Sequence, residues 1–478
     1  MDSPETSMIE RQAVAPNVPD LLKVSPMDTT TATDVETSIL DPVVLSDSGC
    51  RFVLTNKGIL HSHSKIAFSI FSESASDFYL PPNIGIASLI QRCSLKVGTK
   101  TLQEIDGYNF LTAYKSLFIS NEHQKQREQV QSGKCISHEF LMDNRATVDG
   151  GPDNDTRAEG YGLSNGKDYD STGVGSDLRV PDWLLLNNTP VFQVALSDLF
   201  PMLKMTQLPL YMMKEQVSIE MTFAPLAERA QSASGVAPVN FFVNTNDCKF
   251  IADYIYYPQE IMDAYAQQNR VININHFDYR HSKVSVSATT AASTQIRNLG
   301  GANRIVTKVQ ADGVLSNSVL GPYHAMCPEV DYVIGSGAGS NGVKTFNIKY
   351  NDKFLYPIDV VNSARHFHNT AQAEGVPPMV TREEYSAEGT AISPSAKFMG
   401  YEQNEGTLGG ATTGRGILGR FGWQGFRLNR NERVNSRGLE LYYKFATLDD
   451  SATYTQRSWI ELAKQTTLID GYVTTELM

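Results

Sequence analysis

Apolar and polar residues alternate with a period of two along many short stretches of this chain, and that period marks half-buried strands. In VSIEMTF, Val217, Ile219, Met221 and Phe223 fall on one face. LELYYKF repeats that face with Leu439, Leu441, Tyr443 and Phe445. A second matching pair is HSKIAFS from His63 to Ser69 and HSKVSVS from His281 to Ser287. A third is CSLKVGTKTLQEIDGYN (93–109) and FNIKYNDKFLYPIDVVN (346–362). Its identities are Lys96/Lys349, Lys100/Lys353, Leu102/Leu355, Ile105/Ile358, Asp106/Asp359 and Asn109/Asn362. Gly98-Thr99 and Asn351-Asp352 hold the same place in each copy, and both dipeptides suit a tight turn between two strands. The three pairs run in the same order in both halves, which predicts a tandem duplication.

A half made of short strands must close on itself to protect its edges, and an eight-stranded jelly roll is a common way to do so. The expected fold is therefore all-β: two tandem eight-stranded jelly rolls with short helices and long loops. The expected division is a flexible arm over 1–46, a first jelly roll over 47–265 and a second over 266–478. The arm expectation rests on a Ser/Thr/Asp/Pro-rich segment without aromatic residues. Tyr108, Leu111, Tyr114 and Leu117 recur at helical spacing, so 107–131 is expected to be helical, its aromatic stripe packed on a sheet. Ser197-Asp198 should start a short helix, 249–258 should be a strand, and IMDAYAQQ after it a helical linker. The segment from Trp459 to Tyr472 reads as a final strand tied into the sheet. Long loops are expected at 146–180, which is acidic, and at 334–342, 376–391 and 399–419. The spacing between matched pairs is unequal, which places an insertion after the helix in the first half and before the hairpin in the second. Both are expected on an outer surface.

Charge and candidate chemistry narrow the function. The net charge of −11 argues against a surface that grips a phosphate backbone. Cys50, Cys93, Cys135, Cys248 and Cys327 are odd in number, far apart and without a CxxC pair, and read as buried thiols of a reducing compartment. The start MDSPETSMIE lacks the pattern of a secretory signal, and no apolar run reaches the ~18–20 residues of a membrane span. Gly409 to Gly416 resembles a phosphate loop in composition but lacks its Lys-Ser/Thr. His61 with His63, and His366 with His368, could each put two imidazoles on one strand face, the beginning of a cupin-like metal site without its carboxylate and further His. Asn154 and Asn187 match a glycosylation pattern that means little without a secretory signal. Nothing converges, so no catalytic, cofactor-binding or metal residue is assigned and no enzyme is expected.

Two segments carry a family resemblance: LKVGTKTLQEIDGYNFLTAYKS, and FNIKYNDKFLYPIDVVNSARHFHN with EEYSAEG. FQVALSDLFPML and CKFIADYIYYP support them. Over about 47–478 the chain resembles the double jelly-roll major capsid proteins of the adenovirus hexon type, with a nearer likeness to those of polinton-like viruses and virophages. The resemblance implies a homotrimer acting as a pseudo-hexameric capsomer, many of which tile the icosahedral shell of a DNA virus. It implies neighbouring capsomers, minor capsid and penton proteins and an internal membrane as partners, and the virion as location, assembled inside the host cell. It carries no catalytic residue. The 399–420 loop and the arm are the expected contacts between subunits. Two other readings compete. One is a carbohydrate- or receptor-binding tandem lectin or spike, for which Tyr161 and Tyr169 are the only hint. The other is a bicupin-like metalloenzyme.

Overall fold

The computed structural model describes residues 34–72, 78–81, 84–118, 122–134, 191–204, 207–232, 241–243 and 247–286 of the first part of the chain. Beyond these it describes 291–296, 302–311, 323, 326–327, 343–350, 353–358, 363–376, 420–421, 423–428, 439–445 and 454–477. Eight principal strands build the first half: β1 (Asp34–Leu40), β2 (Gly49–Val53), β3 (Lys65–Ser72), β4 (Ile90–Val97), β5 (Lys100–Asp106), β6 (Val191–Ala195), β7 (Val217–Phe223) and β8 (Lys249–Tyr256). Eight more build the second: β9 (Val271–Val286), β10 (Ala291–Ile296), β11 (Ala302–Ala311), β12 (Val343–Tyr350), β13 (Lys353–Phe354), β14 (Trp423–Arg427), β15 (Leu439–Phe445) and β16 (Tyr454–Ile469). A further strand, β17 (Tyr472–Leu477), folds back on β16.

The pairing order shows the duplication. The first half forms the sheets β1-β8-β3-β6 and β2-β7-β4-β5. The second forms β9-β16-β11-β14 and β10-β15-β12-β13. Each strand of the first half thus has a counterpart eight strands later with the same neighbours, and all pairs are antiparallel. This is two jelly rolls in tandem.

In the first half the sheets meet on alternating apolar positions. Ile66, Phe68 and Ile70 of β3 and Val217, Ile219, Met221 and Phe223 of β7 are buried, and Phe68 meets Phe223 edge-on at 6.2 Å. The expected face of β7 is therefore present, and on its counterpart β15 Leu441 is fully buried. Gly98 turns the β4–β5 hairpin at φ +58°, in the left-handed region that suits glycine.

Several expectations change. The matched pairs at 93–109/346–362 and 217–223/439–445 fall on equivalent strands, but the HSK pair does not. Ser64 to Ser69 leads into and along β3, whereas His281 lies in β9, the counterpart of β1. The true counterpart of β3 is β11. Period-two alternation is common to all half-buried strands, so a seven-residue match between unrelated strands arises easily. The second copy of the hairpin is also shorter, because β13 stops after Phe354. Pro357 cannot donate to a ladder there, whereas β5 has no proline and continues to Asp106. The expected arm does not reach residue 46, since Asp34–Leu40 pairs with β8 and Val44–Ser46 with β2. Val35 and Ile39 are 60% and 68% exposed. An edge strand held mainly by its backbone ladder leaves little hydrophobic signal to read.

The expected helix over 107–131 is two helices, α1 (Tyr108–Ser116) and α2 (Glu122–Ser132). Leu117 and Phe118 pack against the core after α1, and Phe118 meets Tyr114 at 5.0 Å. Pro201 likewise separates the short helix Leu196–Leu199 from a 3₁₀ turn at Pro201–Lys204. The linker is helical as expected, α3 (Gln259–Gln268), entered through Pro258. In the second half α4 (Ser363–Glu374) follows the β12–β13 hairpin as α1 follows β4–β5. The loops at 146–180, 334–342 and 399–419, all but Val376 of 376–391, and Asn154, Tyr161, Tyr169 and Asn187 lie outside the described residues.

Candidate functional site: the seam between the jelly rolls and the free edges

The two halves meet where β5 lies against β9 and β17. The seam has an aromatic centre. Tyr114 of α1 packs on Trp423 of β14 at 5.3 Å, and Trp423 on Trp459 of β16 at 5.8 Å. The helix stripe read from the sequence therefore packs against the other jelly roll, not only its own sheet. Gly107, at φ +65°, starts α1 directly over this centre. A Cβ there would stand 3.0 Å from Trp459 Cζ2 and 3.2 Å from His281 Nε2.

Polar contacts ring that centre. The buried Gln103 amide donates to Phe277 O at 2.6 Å and accepts from Met202 N–H at 3.2 Å. His281 Nδ1 lies 3.1 Å from Asp106 Oδ2, and its ring stacks on Trp459 at 4.9 Å. Trp459 Nε1–H in turn donates to Asp106 O at 3.0 Å. Arg457 pairs with Glu228 at 3.1 Å with both side chains buried, and its guanidinium lies 4.1 Å over the Phe110 ring. Asn109 donates to Glu228 and to Tyr323 Oη, and Tyr323 donates to Glu228 O. Lys464 pairs with Asp278 at 3.0 Å and donates to Thr101 O at 3.3 Å. Lys115 donates to Tyr279 Oη at 2.9 Å, and Tyr279 to Glu461 at 2.9 Å. Burial pushes the Lys115 ammonium down to about 8.

The hydrogen bond from His281, together with the Gly107 N–H, holds the Asp106 carboxyl below its usual range against the opposing effect of burial. A depressed carboxyl supports the fold above its unfolded pKa, and the support is lost as pH falls through the folded value. Asp106→Asn is expected to lower the thermal midpoint at pH 7 and to flatten its fall between about pH 4 and pH 2. Because the Asp106 side chain is 47% exposed, solvent screening keeps the effect small, within about 1 kcal/mol. Thermal melts across that range check it.

The remaining sequence candidates do not assemble into a site. His61 and His63 lie on the turn before β3 with ring centroids 4.6 Å apart, but His61 Nδ1 accepts from His63 N–H at 3.1 Å, and burial lowers the His61 imidazolium pKa. His366 and His368 are on α4, not on a strand, and positions two apart on a helix do not share a face. Among the described residues no group of three His, Cys, Asp or Glu could hold a metal. Cys50, Cys93 and Cys248 are free and buried, as expected. Cys135 and the Cys327 side chain lie outside the described residues. A cleft of about 280 Å³ between α1, α2 and β6 is charged, but Glu128 pairs with Lys134 at 2.5 Å and Asp198 with Lys204 at 3.2 Å.

The sequence reading missed two exposed sheet edges, one in each jelly roll. In the first, Val35 and Ile39 of the edge strand β1 lie opposite Ile255 and Ile251 of β8. In the second, Phe354 of β13 and Ile358 just after it are 56% and 68% exposed. The signal was present as isolated apolar residues in weakly patterned strands, and it gains meaning only once the topology is known.

No family model and no curated protein matches the chain. Solved structures do. VP54 of the virus PBCV-1, as fitted into a reconstruction of the virophage Sputnik, is 11% identical with a TM-score of 0.52, over 93% of this chain and 97% of that one. The PBCV-1 capsid model is 12% identical with a TM-score of 0.51, over the same shares of each chain. The Sputnik virophage cryo-EM structure is 10% identical with a TM-score of 0.52, over 96% of this chain and 92% of that one. The chain has the double jelly-roll fold. The matched chains of the PBCV-1 capsid and of the Sputnik virophage share it.

Proposed function

We propose that the chain is a major capsid protein that trimerises into pseudo-hexameric capsomers, which tile an icosahedral DNA-virus shell. The carrying observation is how the duplication uses its surfaces. Inside one chain, β5 of the first jelly roll packs on β9 of the second. Among the described strands their counterparts, β13 and β1, stand at sheet edges, and Phe354, Ile358, Val35 and Ile39 are exposed. A contact used once internally and left open at both ends is heterologous, and heterologous contacts form rings when the rotation closes. Three copies of two similar units close a six-unit ring. The two units divide near residue 265, within α3, and the first begins at β1, leaving a shorter arm than 1–46. The outer partners of such a ring are neighbouring capsomers and, at its rim and base, minor capsid and penton proteins and an internal membrane. The virion is the location, reached by assembly inside the host cell. The chain works as a building block, with no catalysis and no sequence-specific nucleic acid contact.

Light scattering and negative-stain microscopy of the purified protein test this. The expected particle is about three times 52.8 kDa with a pseudo-hexagonal outline. A monomer alone at micromolar concentration overturns the proposal.

A further inference from the structure

The two sheets of the first jelly roll face each other across β2 and β8. Cys50 and Phe52 are inward positions of β2; Cys248, just before β8, and Phe250 are inward positions of the opposite sheet. Phe52 and Phe250 pack at 5.9 Å between ring centroids. Cys50 and Cys248 stand two residues before Phe52 and Phe250 on the same inward faces, so the two thiols face each other across the core beside that ring pair and interact there. Both are free, at 4% and 0% exposure. Cys93, by contrast, donates to Leu199 O at 3.6 Å.

We infer that Cys50 and Cys248 form a latent disulfide that closes on exposure to a small-molecule disulfide such as oxidised glutathione. One cysteine thiolate attacks the glutathione disulfide, forming a mixed disulfide and releasing one glutathione thiolate. The second cysteine, losing its proton, attacks the protein sulfur of that mixed disulfide and releases the second glutathione. The two cysteines are oxidised to a disulfide and the glutathione disulfide is reduced to two thiols. The new bond ties the sheet of β2 to the sheet of β8.

Burial governs the rate and not the direction. A thiolate is disfavoured in apolar surroundings, so the first attack waits for local opening. Cys50 is second in β2 and Cys248 one residue before β8, so fraying of these strand ends exposes them. A clamp of this kind leaves the chain pliable under reducing conditions and fastens the first jelly roll afterwards. It does not depend on how the chain assembles.

The test uses the full chain incubated with excess oxidised glutathione, then denatured for thiol titration and mass measurement. The five thiols should fall to three, with a mass loss of about 2 Da and a peptide linking Cys50 to Cys248. Relative to the reduced protein, the thermal midpoint should rise by several degrees. Cys50→Ser and Cys248→Ser should each abolish both changes, and Cys50→Ala serves where the serine variant folds poorly. Five remaining thiols, a stable glutathione adduct of about 305 Da, or a bond to Cys93 each overturn the inference.

Discussion

Replacing Ile39 and Ile358 together by Asp should leave a folded chain that no longer forms trimers. Both side chains are 68% exposed in the single chain. Surface substitutions of this kind change stability by only about 0.5 kcal/mol, so the thermal midpoint of the monomer should hardly move. Within the proposed ring the same positions become buried, and an unpaired carboxylate there carries a desolvation cost of several kcal/mol. Each copy presents both edges, so every junction takes the penalty twice. Sedimentation at micromolar concentration should show the trimer boundary replaced by one near 53 kDa, the mass of one chain. The contact is heterologous, so Ile39→Lys combined with Ile358→Glu in one chain should restore part of the association, most clearly at low salt. A trimer unaffected by the double Asp variant would show that the copies meet elsewhere and sink the edge assignment.

The sequence was most legible where side chains alternate between a buried core and solvent. The β4–β5 hairpin, β7 and β8 were readable because Val217, Ile219, Met221 and Phe223, and likewise Phe250, Ala252 and Tyr254, point into one core. The order of the later sequence matches followed from the same property. That property also misled, because HSKIAFS and HSKVSVS satisfy it equally while occupying non-equivalent strands. Local alternation reports that a strand has a buried face; it does not report which neighbour the strand has. Edge strands were harder still. Asp34–Leu40 pairs along its whole length with β8, yet its burial is too slight to shape its composition. The seam was nearly invisible. Its members, Asp106, Gln103, Glu228, Lys464 and Arg457, are polar residues that a sequence reader places on the surface. They are buried or partly covered because a second domain covers the first, which no local pattern encodes.

Arg457→Met should cost the fold about 3–5 kcal/mol and uncouple the two jelly rolls. The Arg457 and Glu228 side chains are only 6% and 7% exposed, so removing the guanidinium leaves a carboxylate buried against the second domain. Asn109 still donates to Glu228 Oε2 at 3.1 Å, which offsets part of that cost but supplies no charge. The stacking of the guanidinium on Phe110 is lost as well. Arg457→Met paired with Glu228→Gln should recover much of the loss, because a neutral amide in place of the carboxylate needs hydrogen bonds and no counter-charge. The pair thus fixes where the two halves sit more than it stabilises either one, since a well-packed apolar pair could hold them as tightly. Urea unfolding distinguishes these roles. With the seam intact the halves should unfold in one transition, and in the single variant the transition should split in two, the second half melting first and the first half near its original midpoint. A single transition shifted as a whole would mean that the ion pair supports one jelly roll internally, and that the aromatic centre of Tyr114, Trp423 and Trp459 sets the seam without it.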